Sequence, residues 1–252
     1  MRRLCLVAAL FTPLAMADSL SVEPHSLMRL PGKDGVLTLD RLVIEDYATL
    51  LVPDNLVELK VGELQLGHEA RIAIVPGAQQ LRIEARHATL GEGSQILARG
   101  APGTYEKVAL PGRDLQLQLQ SLQGAQLSVD ARGGAGAPGY FGLDGGSGTE
   151  PGCLWGEAGH GANGLNGGNG HDGAAGAQVH LQLPRDYPAE AIKVQVDGGA
   201  GGQPGAPGKP GPGGKSKGCF VYDTAGGKAG RAGQPGEPGV AGRAGALTVQ
   251  RL

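Results

Sequence analysis

Between Gly35 and Asp130 the chain is a series of short runs in which apolar and polar residues alternate. Val36-Leu37-Thr38-Leu39, Leu42-Val43-Ile44, Leu56-Val57-Glu58-Leu59-Lys60-Val61 and Leu64-Gln65-Leu66 come first. Arg71-Ile72-Ala73-Ile74-Val75 and Leu81-Arg82-Ile83-Glu84-Ala85 follow. A period of two puts the apolar set on one face of a strand, and Gly and Pro between several of the runs mark turns. Leu115-Gln116-Leu117-Gln118-Leu119-Gln120 is the cleanest case, with leucine on one face and glutamine on the other. No 12-residue window carries an amphipathic helix. Leu127-Ser128-Val129 is followed by a long change of pattern, but alternation returns at Gln178–Leu183, Ile192–Val196 and Leu247–Leu252. The late runs need an apolar partner, and the simplest is the early β region. The expected fold is therefore mainly β. We expect an antiparallel β-sandwich, because the terminal strands must rejoin it after long excursions. The alternative is a β-solenoid, since Leu64–Ile74 and Ala88–Ala98 share a cadence of roughly 20–25 residues.

The excursions have a period of three. Gly133, Gly136, Gly139, Gly142, Gly145 and Gly148 keep one phase, which breaks around Cys153 and resumes from Gly161 to Gly176. Gly199 to Gly214, Cys219 and Gly227 to Gly245 repeat the arrangement. A left-handed helix with three residues per turn has no internal hydrogen bonds. It would line the glycines along one edge, where another backbone can approach. Each stretch reads as an out-and-back hairpin, and the two together as a polyglycine II bundle. An arm of about 18 residues at about 3.1 Å each would reach about 55 Å. Gly-Ala-Asn, Gly-Leu-Asn, Gly-Gly-Asn and Gly-His-Asp in the first copy are poor collagen triplets, whereas Gln203–Gly211 is collagen-like. The division expected is 1–17 as signal peptide, 18–132 as β module, 133–176 and 198–245 as hairpins, with 177–197 and 246–252 completing the β module.

Charge distinguishes the copies. Residues 133–176 hold Asp144, Glu150, Glu157 and Asp172 and no Lys or Arg. Residues 198–245 hold Lys209, Lys215, Lys217, Lys228, Arg231 and Arg243 against Asp223 and Glu237. Opposite fields favour side-by-side docking. The whole chain is close to neutral at −2, which leaves no nucleic-acid footprint. Arg2, Arg3, an apolar run over Leu4–Leu14 and Ala15-Met16-Ala17 resemble an export signal, too short to span a membrane. Its removal leaves Cys153 and Cys219, equivalent in the two copies. In an oxidising compartment they are expected to form one disulfide between the hairpin tips.

At Gly199–Gly214 and Gly227–Gly245, and less closely at Gly133–Gly176, the chain resembles bacterial secreted collagen-like proteins with Gly-X-Y repeats. The arms are also similar to the polyglycine II bundles of phage tail-tip adhesins and of a glycine-rich antifreeze protein. The resemblance implies a rigid extracellular module for adhesion or matrix, and a trimer if the collagen geometry applies. The interruptions at Cys153 and Cys219 depart from collagen, and an intrachain bundle would be a monomer.

Aromatic residues collect in the arms, and the only Trp sits at a tip. Leu154, Trp155, Phe220, Val221 and Tyr222 are the candidate binding surface. Gly167-Gly168-Asn169-Gly170-His171-Asp172 matches one calcium nonapeptide, but lacks tandem copies and is explained by the triplet phase. His160 and His171 have no zinc-type neighbours. No nucleophile elbow, zincin or phosphate-loop motif occurs, so neither catalysis nor a cofactor is expected. The expectation is an exported structural or adhesive protein, secreted, at the cell surface or in the periplasm, touching a protein or polysaccharide. Two alternatives are an assembly factor docking onto an envelope complex and a glycan-active enzyme carrying a structural insert.

Overall fold

The computed structural model describes residues 18–31 and 35–252. The expected export signal, 1–17, lies outside them. The fold is almost entirely β. The first strands are β1 (Ser19–Val22), β2 (Leu27–Arg29), β3 (Val36–Ile44), β4 (Thr49–Val52), β5 (Glu58–Leu66) and β6 (Arg71–Ile74). Next come β7 (Leu81–Leu90), β8 (Gln95–Leu97), β9 (Leu115–Gly124) and β10 (Leu127–Asp130). β11 (Gln178–Leu183), β12 (Ile192–Gln195), β13 (Lys217–Gly218), β14 (Asp223–Thr224) and β15 (Ala246–Arg251) complete the set.

The antiparallel sandwich is overturned. A seven-stranded sheet runs β1-β3-β5-β7-β9-β11-β15 and a six-stranded sheet runs β12-β10-β8-β6-β4-β2. Every pair within both is parallel. Successive strands alternate between the sheets, so each strand's neighbour is one full turn of the chain away. Ser19 pairs with Arg41 and Leu27 with Thr49, each partner 22 residues on. This is the winding of a two-sheet solenoid. Alternation could not separate it from a sandwich, because a period of two reports which face is buried and says nothing about strand direction.

Leu42, Ile44, Leu50, Leu59, Ile72, Leu81, Ile83, Leu115 and Leu117 fill the space between the sheets. Four strands share a break in their alternation. Asp40-Arg41, Gly62-Glu63, Arg86-His87 and Gln120-Ser121 each put two adjacent residues between inward-facing ones, and the ladders skip the first of each pair. The bulges therefore stack, and Val36–Leu39 with Leu42–Ile44, read as two runs in the sequence, form one bent strand. An added Cβ at Gly62 would meet the Asp40 carbonyl and the Arg86 guanidinium. The turns stack as well: His25, Tyr47 and Glu69 adopt positive φ at equivalent corners and only the fourth, Gly93, is glycine.

Later turns lengthen without leaving the winding. Between β8 and β9 the chain makes a short hairpin at 99–113. Between β10 and β11 it makes a long one, 131–177, and between β12 and β15 another, 196–245. All three leave the six-stranded sheet and return to the seven-stranded one, so they stack in the same order as the strands beneath them. Arg113 anchors the shortest at its root. Its buried guanidinium donates to the carbonyls of Pro53, Asp54, Leu56, Val75 and Gln79, tying together the corners of earlier turns. Burial lowers its pKa, opposed by the charge of Asp54.

Candidate functional site

Four arms rise from the solenoid: 131–148 out, 159–177 back, 196–214 out and 226–245 back. Their glycines organise the backbone bonding. Gly133, Gly136, Gly139, Gly142, Gly145 and Gly148 donate to carbonyls of the third arm, from Asp197 to Pro212, at 2.8–3.0 Å. Gly161 to Gly176 donate in the same way to the fourth arm, and Gly199 to Gly214 donate back to the second. Gly227 to Gly245 return to the third arm. Every link recurs at three-residue intervals, the polyglycine II pattern. Close approach is what requires glycine: a Cβ at Gly205 would collide with the Tyr140 carbonyl, and one at Gly167 with that of Gly205.

Side chains complete one seam. His160, Asn163, Asn166, Asn169 and Asp172 lie three residues apart on the second arm. Their Nδ1 or Oδ1 atoms accept the N–H groups of Lys228, Arg231, Gln234, Glu237 and Val240 at 2.7–2.9 Å. On the opposite row Asp144 accepts the N–H of Lys209. This assigns the poor collagen triplets a role. It also accounts for Asn169 and Asp172 without a metal, and for His160 as an acceptor; among the described residues no cluster of His, Cys, Asp and Glu could hold a metal ion. The visible signal was the triplet spacing of short amides.

At the root of the bundle Asp130 is nearly buried and accepts from Arg99 and, in bidentate fashion, from Arg132 at 2.9–3.0 Å. Burial by itself would raise its pKa. The hydrogen bonds from Arg99 and Arg132 outweigh that and hold it below the ordinary carboxylate value. Neither this cluster nor Arg113 was singled out from the sequence, because their partners are carbonyls and carboxylates brought together only by the winding.

The far end of the bundle holds the candidate binding residues. Cys153 and Cys219 are joined by a disulfide with Cα atoms 5.6 Å apart. Each lies in a tight loop: Gly152 N–H donates to the Gly156 carbonyl, and Cys219 N–H to that of Tyr222 at 2.8 Å. The antiparallel pair β13–β14 closes the second loop, and the Tyr222 hydroxyl donates to the Cys153 carbonyl. Leu154-Trp155 and Phe220-Val221 therefore stand side by side at the apex. They are exposed by 86%, 89%, 105% and 86% respectively, and Tyr222 by 53%. Among the described residues these side chains are left largely open to solvent. Glu150 and Glu157 flank one loop; Lys215, Lys217 and Asp223 flank the other.

Compared with known proteins, the chain matches no family model, no curated protein sequence and no solved structure. Among the described residues no helix is long and apolar enough to cross a membrane.

Proposed function

We propose that the protein is an exported structural or adhesive element whose stiff glycine bundle holds the Cys153–Cys219 tip away from the solenoid for contact with a surface partner. The observation that carries this reading is the tip itself. Four large apolar side chains are almost wholly exposed, yet they are fixed by a disulfide and two closed loops. Exposed apolar clusters on folded proteins mark interaction sites, and preorganised aromatic anchors lose little conformational entropy on binding. The surface is convex, so it suits a partner that supplies the concavity. The mixed border of Glu150, Glu157, Lys215 and Lys217 resembles the polar rim of a protein–protein interface more than a basic lipid-binding patch. The bundle's role is mechanical: four mutually bonded arms of about 55 Å bend far less than one free chain.

The test is binding of the purified mature chain to isolated cell envelopes and to purified surface polysaccharide. The double variant Trp155→Ala/Phe220→Ala is expected to lose at least about tenfold in affinity, a loss of about 1.4 kcal/mol or more, with an unchanged melting curve. Unchanged binding by that variant to every envelope fraction would remove the tip from the reading.

A further inference from the structure

The two ends of the solenoid differ. At the first end the inward-facing positions are closed. Val22 and Leu30 are 0% and 2% exposed, and Leu20 and Met28 are half-buried against the core. Asp18, Glu23 and Pro24 bracket β1, and Pro31 follows shortly after β2. Charges and prolines at such positions discourage a further strand from pairing there. The other end is formed by β15 in one sheet and β12 in the other. The register of β15 places Leu247 beside Val179 and Val249 beside Leu181, in the inward-facing columns. Val179 and Leu181 are 0% and 1% exposed, whereas Leu247 and Val249 are each 41% exposed. Ile192 and Val194 on β12 are half-buried.

The backbone of β15 is open on the same side. Leu252 donates to the Leu183 carbonyl at 2.9 Å. In a parallel ladder alternate residues address opposite neighbours. Thr248 and Gln250 therefore bond to β11, and Leu247 and Val249 turn their N–H and C=O groups outward. β15 is the last strand of its sheet, so among the described residues no strand meets these groups. Nothing guards this edge. Its six residues include no proline, and its ladder has no bulge. Its one charge, Arg251, is tied to the carbonyls of Pro184 and Tyr187 at 3.1 and 2.7 Å. A short strand of this composition with an open edge is a site for pairing with another strand. β12, by contrast, carries Lys193 in its outward-facing row.

We infer that β15 pairs antiparallel with β15 of a second copy of this chain, about a two-fold axis through Thr248. The edge is self-complementary under that operation. Leu247 of one copy meets Val249 of the other, and these are the residues with outward N–H and C=O groups, so the two pairs exchange hydrogen bonds in both directions. The same pairs bring the exposed apolar side chains of Leu247 and Val249 together on the core side. Thr248 faces Thr248 of the second copy on the outer side, in the closely spaced site without hydrogen bonds. An isologous contact of this kind closes after two copies. Stacking β15 on β1 of the next copy would not close, and it would use the edge bracketed by Asp18 and Glu23. The glycine bundle needs only one chain, and the second copy enters through the solenoid. The fourth arm leads into β15 at Gly245–Ala246, so the two-fold reverses its direction and the two tips face away from each other. The tip contact proposed above would then be bivalent, although the pairing itself does not rest on that reading.

The experiment measures the native mass of the disulfide-bonded chain by light scattering at concentrations up to about 100 µM. We expect the mass of two chains at the upper end. Thr248→Cys, oxidised under conditions that leave the Cys153–Cys219 bond intact, should cross-link into a covalent dimer. Gln250→Cys, which would lie opposite Ala246 of the second copy, should not. Val249→Pro removes an N–H that β11 does not use. That variant should keep the circular dichroism of the parent and dimerise at least about tenfold more weakly. Leu247→Lys places a charge on the open edge and should weaken the dimer by a similar factor. Trp155→Ala/Phe220→Ala should leave the mass unchanged, which separates this pairing from contact at the tip. A monomer at about 100 µM, a trimer, cross-linking through Gln250→Cys rather than Thr248→Cys, or undiminished dimerisation of both Val249→Pro and Leu247→Lys would each overturn the inference.

Discussion

The solenoid and the glycine bundle are stacked by one winding and held together by opposite means. In the solenoid, neighbouring turns share a backbone ladder, but the space between the sheets is filled by side chains such as Leu50, Ile72, Leu81 and Leu117. In the bundle there is no side-chain core. Neighbouring arms touch backbone to backbone, and the interior consists of Gly199, Gly202, Gly205, Gly208, Gly211 and Gly214 with the carbonyls around them. The solenoid therefore draws on the hydrophobic effect, about 25 cal/mol per Å² of apolar surface buried. The bundle draws on many hydrogen bonds, each contributing about 1 kcal/mol net. Against them stands the large conformational entropy that glycine loses on ordering. The difference explains why the bundle has a covalent tie at its far end and the solenoid has none. It also explains why tolerance is inverted: a core strand suffers when a side chain shrinks, and an arm suffers when one appears.

That inversion is most sharply tested at Gly205, on the third arm. Gly205→Val would force a side chain into the Tyr140 carbonyl and should destabilise the bundle by about 4 kcal/mol or more, seen as rapid amide exchange along all four arms. Strands β3–β9 should stay protected. Uniform loss of protection in both regions would mean that they fold as one unit. The amide seam should respond more mildly. Asn166→Ala removes the acceptor of the Gln234 N–H and should cost about 1 kcal/mol, read as a lowered melting temperature with the arms still ordered. A change indistinguishable from zero would reduce the seam to a bystander. The smallest effect concerns the junction. Asp130 has a folded-state pKa below its ordinary value. Its contribution is thus fully present above about pH 4 and is lost as pH falls through the lower folded value. Wild type should lose melting temperature on that acid limb, and Asp130→Asn should show a shallower loss there. Parallel acid limbs would separate Asp130 from the stability of the junction.

Several features were legible before any fold was known. The strand runs, the two glycine hairpins and the equivalence of Cys153 with Cys219 are local periods, and local periods are written along the chain. The five-residue ladder from His160 to Asp172 was legible too, but it looked like poor collagen rather than a set of acceptors. The stacked bulges were visible only as gaps between short runs, since a doubled outward position at Asp40-Arg41 imitates the end of a strand. Glu69 in a left-handed corner, with φ of 49°, could not have been anticipated, because the residue there is not glycine and the strain is imposed by the turns stacked on it.

By itself, the sequence determined the elements: which residues face inward, where three replaces two as the period, and which positions admit no side chain. Those follow from sterics and from burial within a few residues. Only the tertiary structure decided that the strands run parallel, that the hairpins stack as further turns of one winding, and that the short hairpin turns back where Tyr105 meets Tyr140. A strand's alternation is the same whichever way its neighbour runs. Direction is fixed by what connects strands 22 residues apart and by how those connections pack.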